Sequence, residues 1–160
     1  MIKVPLVGKY KGLYAIVDDC DAWVLKFRWC GIKPRNIIYA VVSTRKKGLN
    51  GTRLHRLILG LKKGDSGVDH IDGDGLNNLR NNLRLATNSQ NQMNQRKYRG
   101  TSIYKGITWH KRDKKWNTQI AKDSKLIYLG YYISEMEAAK TYDKKARELF
   151  GEFAKLNFPD

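Results

Sequence analysis

Alternation, helical recurrence and breaks divide the chain into three stretches. In residues 1–66 the short apolar, β-branched runs LYAIVDD (13–19) and IIYAVV (37–42) predict strands. DAWVLKF (21–27) predicts a short helix behind an aspartate cap. GLNGTRLH (48–55) carries Asn50-Gly51, a pair that adopts the positive φ angles of a hairpin turn. HRLILGL (55–61) is apolar and breaks at KKGDSG. In residues 67–95, GVDHI predicts a strand, IDGDGLNN a loop and NLRLAT a second strand. NSQNQMNQ then starts a helix that Thr87 or Asn88 can cap, giving a β–β–α unit. Further on, SIYKGITWHKR, KKWNTQIAK and LIYLGYY alternate apolar and polar as three half-buried strands, with RDKK and KDSK as turns. SEMEAAKTYDKKARELF predicts a helix. Ser134 and Glu137 form its capping box, Gly151 lies past its end, and Ala138, Tyr142, Ala146 and Leu149 make its buried face. QRKYRGTS (95–102) is polar and basic and predicts a linker.

The chain of 160 residues, 41% hydrophobic, is long enough for one medium or two small domains with a packed core. No apolar run approaches the ~20 residues of a membrane span, and the start of the chain lacks the apolar stretch of a secretory signal. Cys20 and Cys30 form no C-x-x-C pair, which argues against a zinc or disulfide framework and for an intracellular setting. The charge changes the picture most. Thirty-one Lys and Arg against 15 Asp and Glu give +16, and residues 95–125 hold ten of the cations with two aspartates. A polyanion is the expected partner, because binding releases its condensed counterions. Without a basic amphipathic helix bearing bulky apolar residues, nucleic acid is favoured over a membrane.

DHIDGDGLNN (69–78) concentrates the candidate chemistry. As a calcium loop it fails: placing Asp72 and Asp74 at positions 3 and 5 of an EF-hand puts His70 at position 1 and Asn81 at position 12, where carboxylates are required. Phosphodiester cleavage fits the composition better. Water must lose a proton, which suits a histidine near neutral pKa, and the phosphate must be neutralised, which suits a divalent cation on oxygen ligands. His70 is the candidate base, with Asp69 beside it and Asn82 and Asn91 downstream. Asp72, Asp74, Asn77 and Asn78 read as turn-shaping residues. His55 reads as a packing or supporting residue, and Arg56 and Arg84 are candidates for phosphate contact.

The pattern DHIDG..LNN...NLR.AT..QN resembles the HNH endonucleases of the H-N-N subgroup, ββα-metal nucleases common in phages and introns. The upstream VPL, AIVDD, FRWC, YAVV and LHRLILG resemble the leader that precedes such sites, extending the likeness over about residues 1–95. The resemblance implies His70 as general base and Asn82 as the residue that hydrogen-bonds its imidazole. It implies Asp69 and Asn91 as ligands of one Mg²⁺ or Mn²⁺ per active site, with no small-molecule cofactor. One geometric question accompanies it, since neighbours on an ideal strand face opposite sides and Asp69 and His70 are adjacent. Position 74 also departs from the pattern, carrying Asp where Asn is common.

Residues 103–159 resemble the plant Apetala-two, or ethylene-response-factor, DNA-binding domain, through YKGI, KWNTQI, YLGYY, EAAKTYDKKA and KLNF. That resemblance implies DNA contact through Lys105, Gly106, Thr108, His110, Gln119 and Tyr128 on the outer face of the sheet. Strand alternation, with Ile107, Trp109, Trp116, Thr118 and Ile120 inward, turns Thr108, His110, Arg112, Asn117 and Gln119 outward. Thr108 and Ala121 stand where the family carries arginines, so the plant target sequence is not implied.

The expectation is an α+β chain: an HNH nuclease domain over 1–95 with its ββα-metal core at about 67–95, a basic linker over 96–102, and over 103–160 a three-stranded antiparallel sheet packed on one helix. It would be a site-directed endonuclease on double-stranded DNA, of homing type, phage- or intron-encoded and working in the cytoplasm of a bacterial host. A single site cuts one strand, so a monomer should nick, and a double-strand break needs a homodimer or two events. The alternatives are a DNA-binding regulator with an inactive nuclease-like domain and an RNA-binding protein, the latter disfavoured because no aromatic RNP-type strand motif is present.

Overall fold

The computed structural model describes residues 1–34, 36–44, 48–94, 100–123 and 125–159. It is a mixed α+β structure that divides into two compact units, Met1–Thr87 and Asn88–Asp160. Most of the linker expected over 96–102 lies outside the described residues.

The first unit is built on four strands: β1 (Ile2–Val7), β2 (Tyr14–Val17), β3 (Trp29–Ile32) and β4 (Tyr39–Val42), in the order β2-β1-β3-β4. Alternation along β1 buries Val4 and Leu6, which join Val17, Val24, Trp29, Val42, Leu54 and Ile58 in one core. Pro5 interrupts the strand signal of β1. The strand tolerates it because β1 pairs with β3 only at Leu6 and Val7, beyond the proline. The helix expected over 21–27 is instead a 3₁₀ run, Asp19–Lys26. Asp18 makes no side-chain cap there, and its Oδ2 accepts the Arg80 backbone N–H at 2.7 Å. At Asn50-Gly51 the chain does turn, with Gly51 at φ +77, and Gly51 donates to the Val42 carbonyl. The return arm makes only a bridge, Val41 to Arg53, before α1 (Leu54–Ile58) begins.

Two further strands, β5 (Gly67–His70) and β6 (Leu83–Ala86), form a separate antiparallel hairpin. The helix expected after it is α2 (Asn88–Met93), and this helix clusters with the second unit rather than with the hairpin.

The second unit carries β7 (Ile107–His110), β8 (Lys115–Lys122) and β9 (Lys125–Tyr132), an antiparallel sheet in sequence order, and α3 (Glu135–Phe150). Ser134 caps α3 by accepting the Glu137 N–H, and Gly151 ends it at φ +52. Ala138, Ala139, Tyr142, Ala146 and Phe150 of α3 pack on Ile107 and Ile120. Leu149, expected on the buried face, is half-buried at its edge. Asp143 is buried and accepts the backbone N–H groups of Asn157 and Phe158, both at 2.8 Å. Asn157 accepts the Lys105 N–H in turn, so the last segment of the chain fixes the start of β7.

Candidate active site

The hairpin sets out the first part of the site. Register pairs Asp69 with Arg84 and His70 with Leu83. Asp69 and Arg84 therefore face each other on one side, where Arg84 Nε and Nη2 both donate to Asp69 Oδ2, at 2.9 and 2.8 Å. Their side chains are 13% and 8% exposed, Arg84 and Asp69 respectively, so this is a buried ion pair. Asp69 was expected to hold metal and Arg84 to touch phosphate; here each is engaged with the other.

His70 ends β5 and is buried with Asp69, though neighbours on a strand face opposite ways. On its side lie two more rings. The His55 ring, from α1, meets it edge-to-face with centroids 4.9 Å apart, and Tyr39 of β4 stands 5.7 Å from each. Asn78 Oδ1 lies 3.5 Å from His70 Nε2. The Asn78 amide has one sensible orientation, because its Nδ2 donates to the carbonyls of Leu76 (2.9 Å) and Gly75 (3.5 Å). The oxygen so presented can only accept, which selects the tautomer with the proton on Nε2 and leaves the lone pair on Nδ1. Burial lowers the His70 pKa. The Asn78 hydrogen bond and the nearby Asp72, Asp69 and Asp74 charges oppose the shift without cancelling it. The imidazole is thus neutral at neutral pH. His55, only 3% exposed, is lowered to about 3, by burial first and then by His70, Arg53 and Arg56.

The tautomer-setting contact was expected from Asn82, and here the structure differs. Asn82 Nδ2 donates to Asp72 Oδ1 (3.0 Å) and the Asn77 carbonyl (2.8 Å), and its Oδ1 accepts the Asp72 N–H (3.1 Å). It braces the loop instead. Sequence alone offers no signal that separates Asn78 from Asn77, which turns outward to bond Asp72 Oδ2. The loop aspartates shape the turn as expected: Asp72 accepts the Asp74 N–H and Asp74 accepts the Leu76 N–H. Burial raises the Asp72 pKa, but bonds from Asp74, Asn77 and Asn82 outweigh it and the net shift is downward.

The loop is fastened to distant strands. Ile16 of β2 donates to the Leu76 carbonyl and accepts the Asn78 N–H, both at 2.8 Å. A Cβ on Gly75 would lie 2.4 Å from the Ile38 carbonyl, so only glycine permits this approach. Beside it, Arg80 grips the fully buried Asp21 with Nε and Nη2, at 2.9 and 2.7 Å. The partners that hold them, Ile16, Ile38 and Asp21, all lie outside the motif.

As a cation seat, Asp69 is suited in sign and burial, since it already holds a guanidinium. Among the described residues no group of three His, Cys, Asp or Glu is arranged to hold a metal ion. Asn91, the other expected ligand, lies half-buried on α2 in the second unit.

In that unit the expected outward set does share one face. Register aligns Thr108 with Asn117 and Tyr131, and Gln119 with Tyr128. Tyr128 and Tyr131 are exposed, with rings 5.5 Å apart, and the His110 ring lies tilted against Tyr131, with centroids 5.2 Å apart. Asn117 Oδ1 is buried with no hydrogen-bond partner. Arg112 is exposed and paired with Asp113. Two expected contact residues serve the interior instead. The Lys105 ammonium donates to the Met93 carbonyl, and burial, aided by Lys155, lowers its pKa to about 8. Gly106, at φ +79, lies so close to Tyr142 that a Cβ would sit 2.1 Å from the ring.

A neutral imidazole held in one tautomer, beside a buried carboxylate at the end of a hairpin, can accept a proton. The family model for HNH endonucleases matches residues 52–93, the stretch from the start of α1 to the end of α2. An uncharacterized HNH endonuclease of Acanthamoeba polyphaga mimivirus is 34% identical over 160 residues, covering 95% of this chain and 79% of that protein. The chain belongs to the HNH endonuclease family. Protein 3.8 of Escherichia phage T7 is 33% identical over 90 residues, 56% of this chain and 74% of that protein. An AP2-like ethylene-responsive transcription factor of Arabidopsis thaliana is 40% identical over 62 residues, 38% of this chain but only 12% of the factor. No helix among the described residues is long and apolar enough to cross a membrane.

Proposed function

We propose that the protein is a DNA endonuclease that hydrolyses one phosphodiester per site, with the N-terminal unit cutting and the C-terminal sheet choosing where. The observation that carries this reading is His70: buried, neutral and hydrogen-bonded by Asn78 at Nε2. In the proposed reaction Nδ1 takes a proton from the attacking water, and the amide of Asn78 keeps the ring from rotating away. A divalent ion, Mg²⁺ or Mn²⁺, would neutralise the phosphate and the leaving oxygen when bound. Asp69 is the proposed carboxylate ligand and Asn91 a proposed amide ligand, completing a ββα-metal centre of the H-N-N type. Asn82 acts one step back, holding the Asp72 loop from which Asn78 projects.

Target choice falls to Thr108, Asn117, Gln119, Tyr128 and His110 on the exposed sheet, with Arg112 at its edge. The exposed Tyr128 and Tyr131 beside these residues support this, since an accessible face of hydrogen-bonding side chains is what contact with a base edge requires. The likeness to plant AP2-like factors points the same way. With one His70 per chain, the monomer is proposed to nick, and a homing role follows from the resemblance to mobile enzymes.

A second reading, a DNA-binding regulator with an idle nuclease fold, is favoured by one observation: Arg84 already fills Asp69. Plasmid nicking decides between them. The wild type should convert supercoiled DNA to open circles with Mg²⁺ and not with chelator, and His70→Ala should lose cleavage while its gel shift persists. A wild type that shifts DNA but cuts with no divalent ion would leave the regulator standing.

A further inference from the structure

We infer that the Arg84 guanidinium is a resident counter-cation that a divalent metal must displace from Asp69, so that Arg84 sets how readily the centre loads. This rests on the nuclease reading above. Three features support it. Register places Arg84 directly across the hairpin from Asp69. Both donors, Nε and Nη2, converge on the single oxygen Oδ2, at 2.9 and 2.8 Å. The pair is buried, with side-chain exposures of 13% and 8%, so water screens it poorly.

A metal on that oxygen would put a double positive charge against a single one, both sharing one carboxylate in a weakly screened space. Arginine cannot relieve the repulsion by losing its proton. One cation has to move, and the guanidinium has somewhere to go, because its planar fork matches a phosphate as well as a carboxylate. An incoming phosphodiester would thus draw Arg84 off Asp69 as it vacates the seat. Metal entry and DNA entry become linked events, and the resting protein holds metal weakly.

The opposite role is also physically sound: a hydrogen-bond donor to a ligating carboxylate orients it, and removing such a donor weakens metal binding by about 10–100-fold. The two roles predict opposite signs. Calorimetric titration of the full chain with Mn²⁺ alone, without DNA, reads the sign directly. Arg84→Met should tighten Mn²⁺ by about 10-fold, the scale of one charge-assisted hydrogen bond lost from the competitor. Asp69→Asn should cut binding. If Arg84→Met does not fold by circular dichroism, Arg84→Lys, which keeps a charge but loses the fork, should still tighten binding by a smaller factor. Unchanged or weaker Mn²⁺ binding in the folded Arg84 variant, with Asp69→Asn still impaired, overturns the displacement but keeps Asp69 as a ligand. Binding indifferent to Asp69→Asn removes Asp69 from the metal site, and the inference falls with it.

Discussion

Among the described residues, Asp21, His55, Asp69, His70, Asn78 and Asn82 are buried in the first unit, and Asn94, Ser102, Thr118 and Asp143 in the second. The first set is linked side chain to side chain: Asp69 to Arg84, His70 to Asn78, Asn82 to Asp72, Asp21 to Arg80. In the second, Asp143 mainly serves the backbone, accepting the N–H groups of Asn157 and Phe158 along with the Asn157 side-chain amide, and so ties these residues to α3. Its hydrogen-bonding side chains lie instead on the outer face of the sheet, over an apolar core. The burial in the first unit is what the proposed proton transfer needs, a dry ring held in one tautomer, and the display in the second is what the proposed reading of base edges needs, polar groups that a partner can reach.

That division can be broken most sharply at His70. His70→Ala should lower the nicking rate by about 10³-fold, the scale of a lost general base, without moving the gel-shift midpoint. Gly106→Val attacks the other unit: a branched side chain at positive φ against Tyr142 should destabilise it by about 3 kcal/mol, read as an earlier melting transition and a lost gel shift. Arg80→Ala strands the buried Asp21 carboxylate. It should cost about 2 kcal/mol in urea unfolding of the first unit, less than for a fully buried pair because water reaches Arg80.

Acid should act on the first unit through His55. Its folded pKa is about 3, while the unfolded imidazole binds a proton below about 6.5. Between those values the unfolded chain holds more protons, so stability declines as pH drops, by at most ~1.4 kcal/mol per pH unit for one such group. His55→Phe should flatten that slope in urea titrations run from pH 7 to pH 4. The smallest effect is expected on the sheet face: Asn117→Ala should weaken DNA binding by about 1 kcal/mol in a fluorescence titration, with cleavage of bound DNA unchanged.

The second unit was readable almost strand by strand, because its three strands are amphipathic and alternation reports the buried face directly. Cap residues Ser134 and Gly151 marked the ends of α3 in the same way. The first unit was less legible. β1 was hidden by Pro5, whose tolerance depends on where the neighbouring strand begins to pair. The run at 21–27 shows helical composition but follows 3₁₀ geometry, with Asp21 drawn inward to Arg80 rather than serving as a cap. At the site, Asp69 and His70 were singled out by residue type, yet their partners were not. Arg84 follows from strand register and Asn78 from the fold of the loop, and neither is encoded in the spacing.

The attachment of the site loop to Ile16 and of Arg80 to Asp18 and Asp21 has a consequence for the order of folding. These bonds close over sequence separations of 62 and 59 residues. Such non-local contacts form late, after the intervening chain has collapsed. Residues 52–93, which contain the family match, therefore lack the partners that hold His70's neighbour Asn78 in place. A fragment trimmed to that stretch should keep the motif and lose the geometry, and a ribosome making the whole chain will already have released β1 and β2 when the loop emerges to meet them.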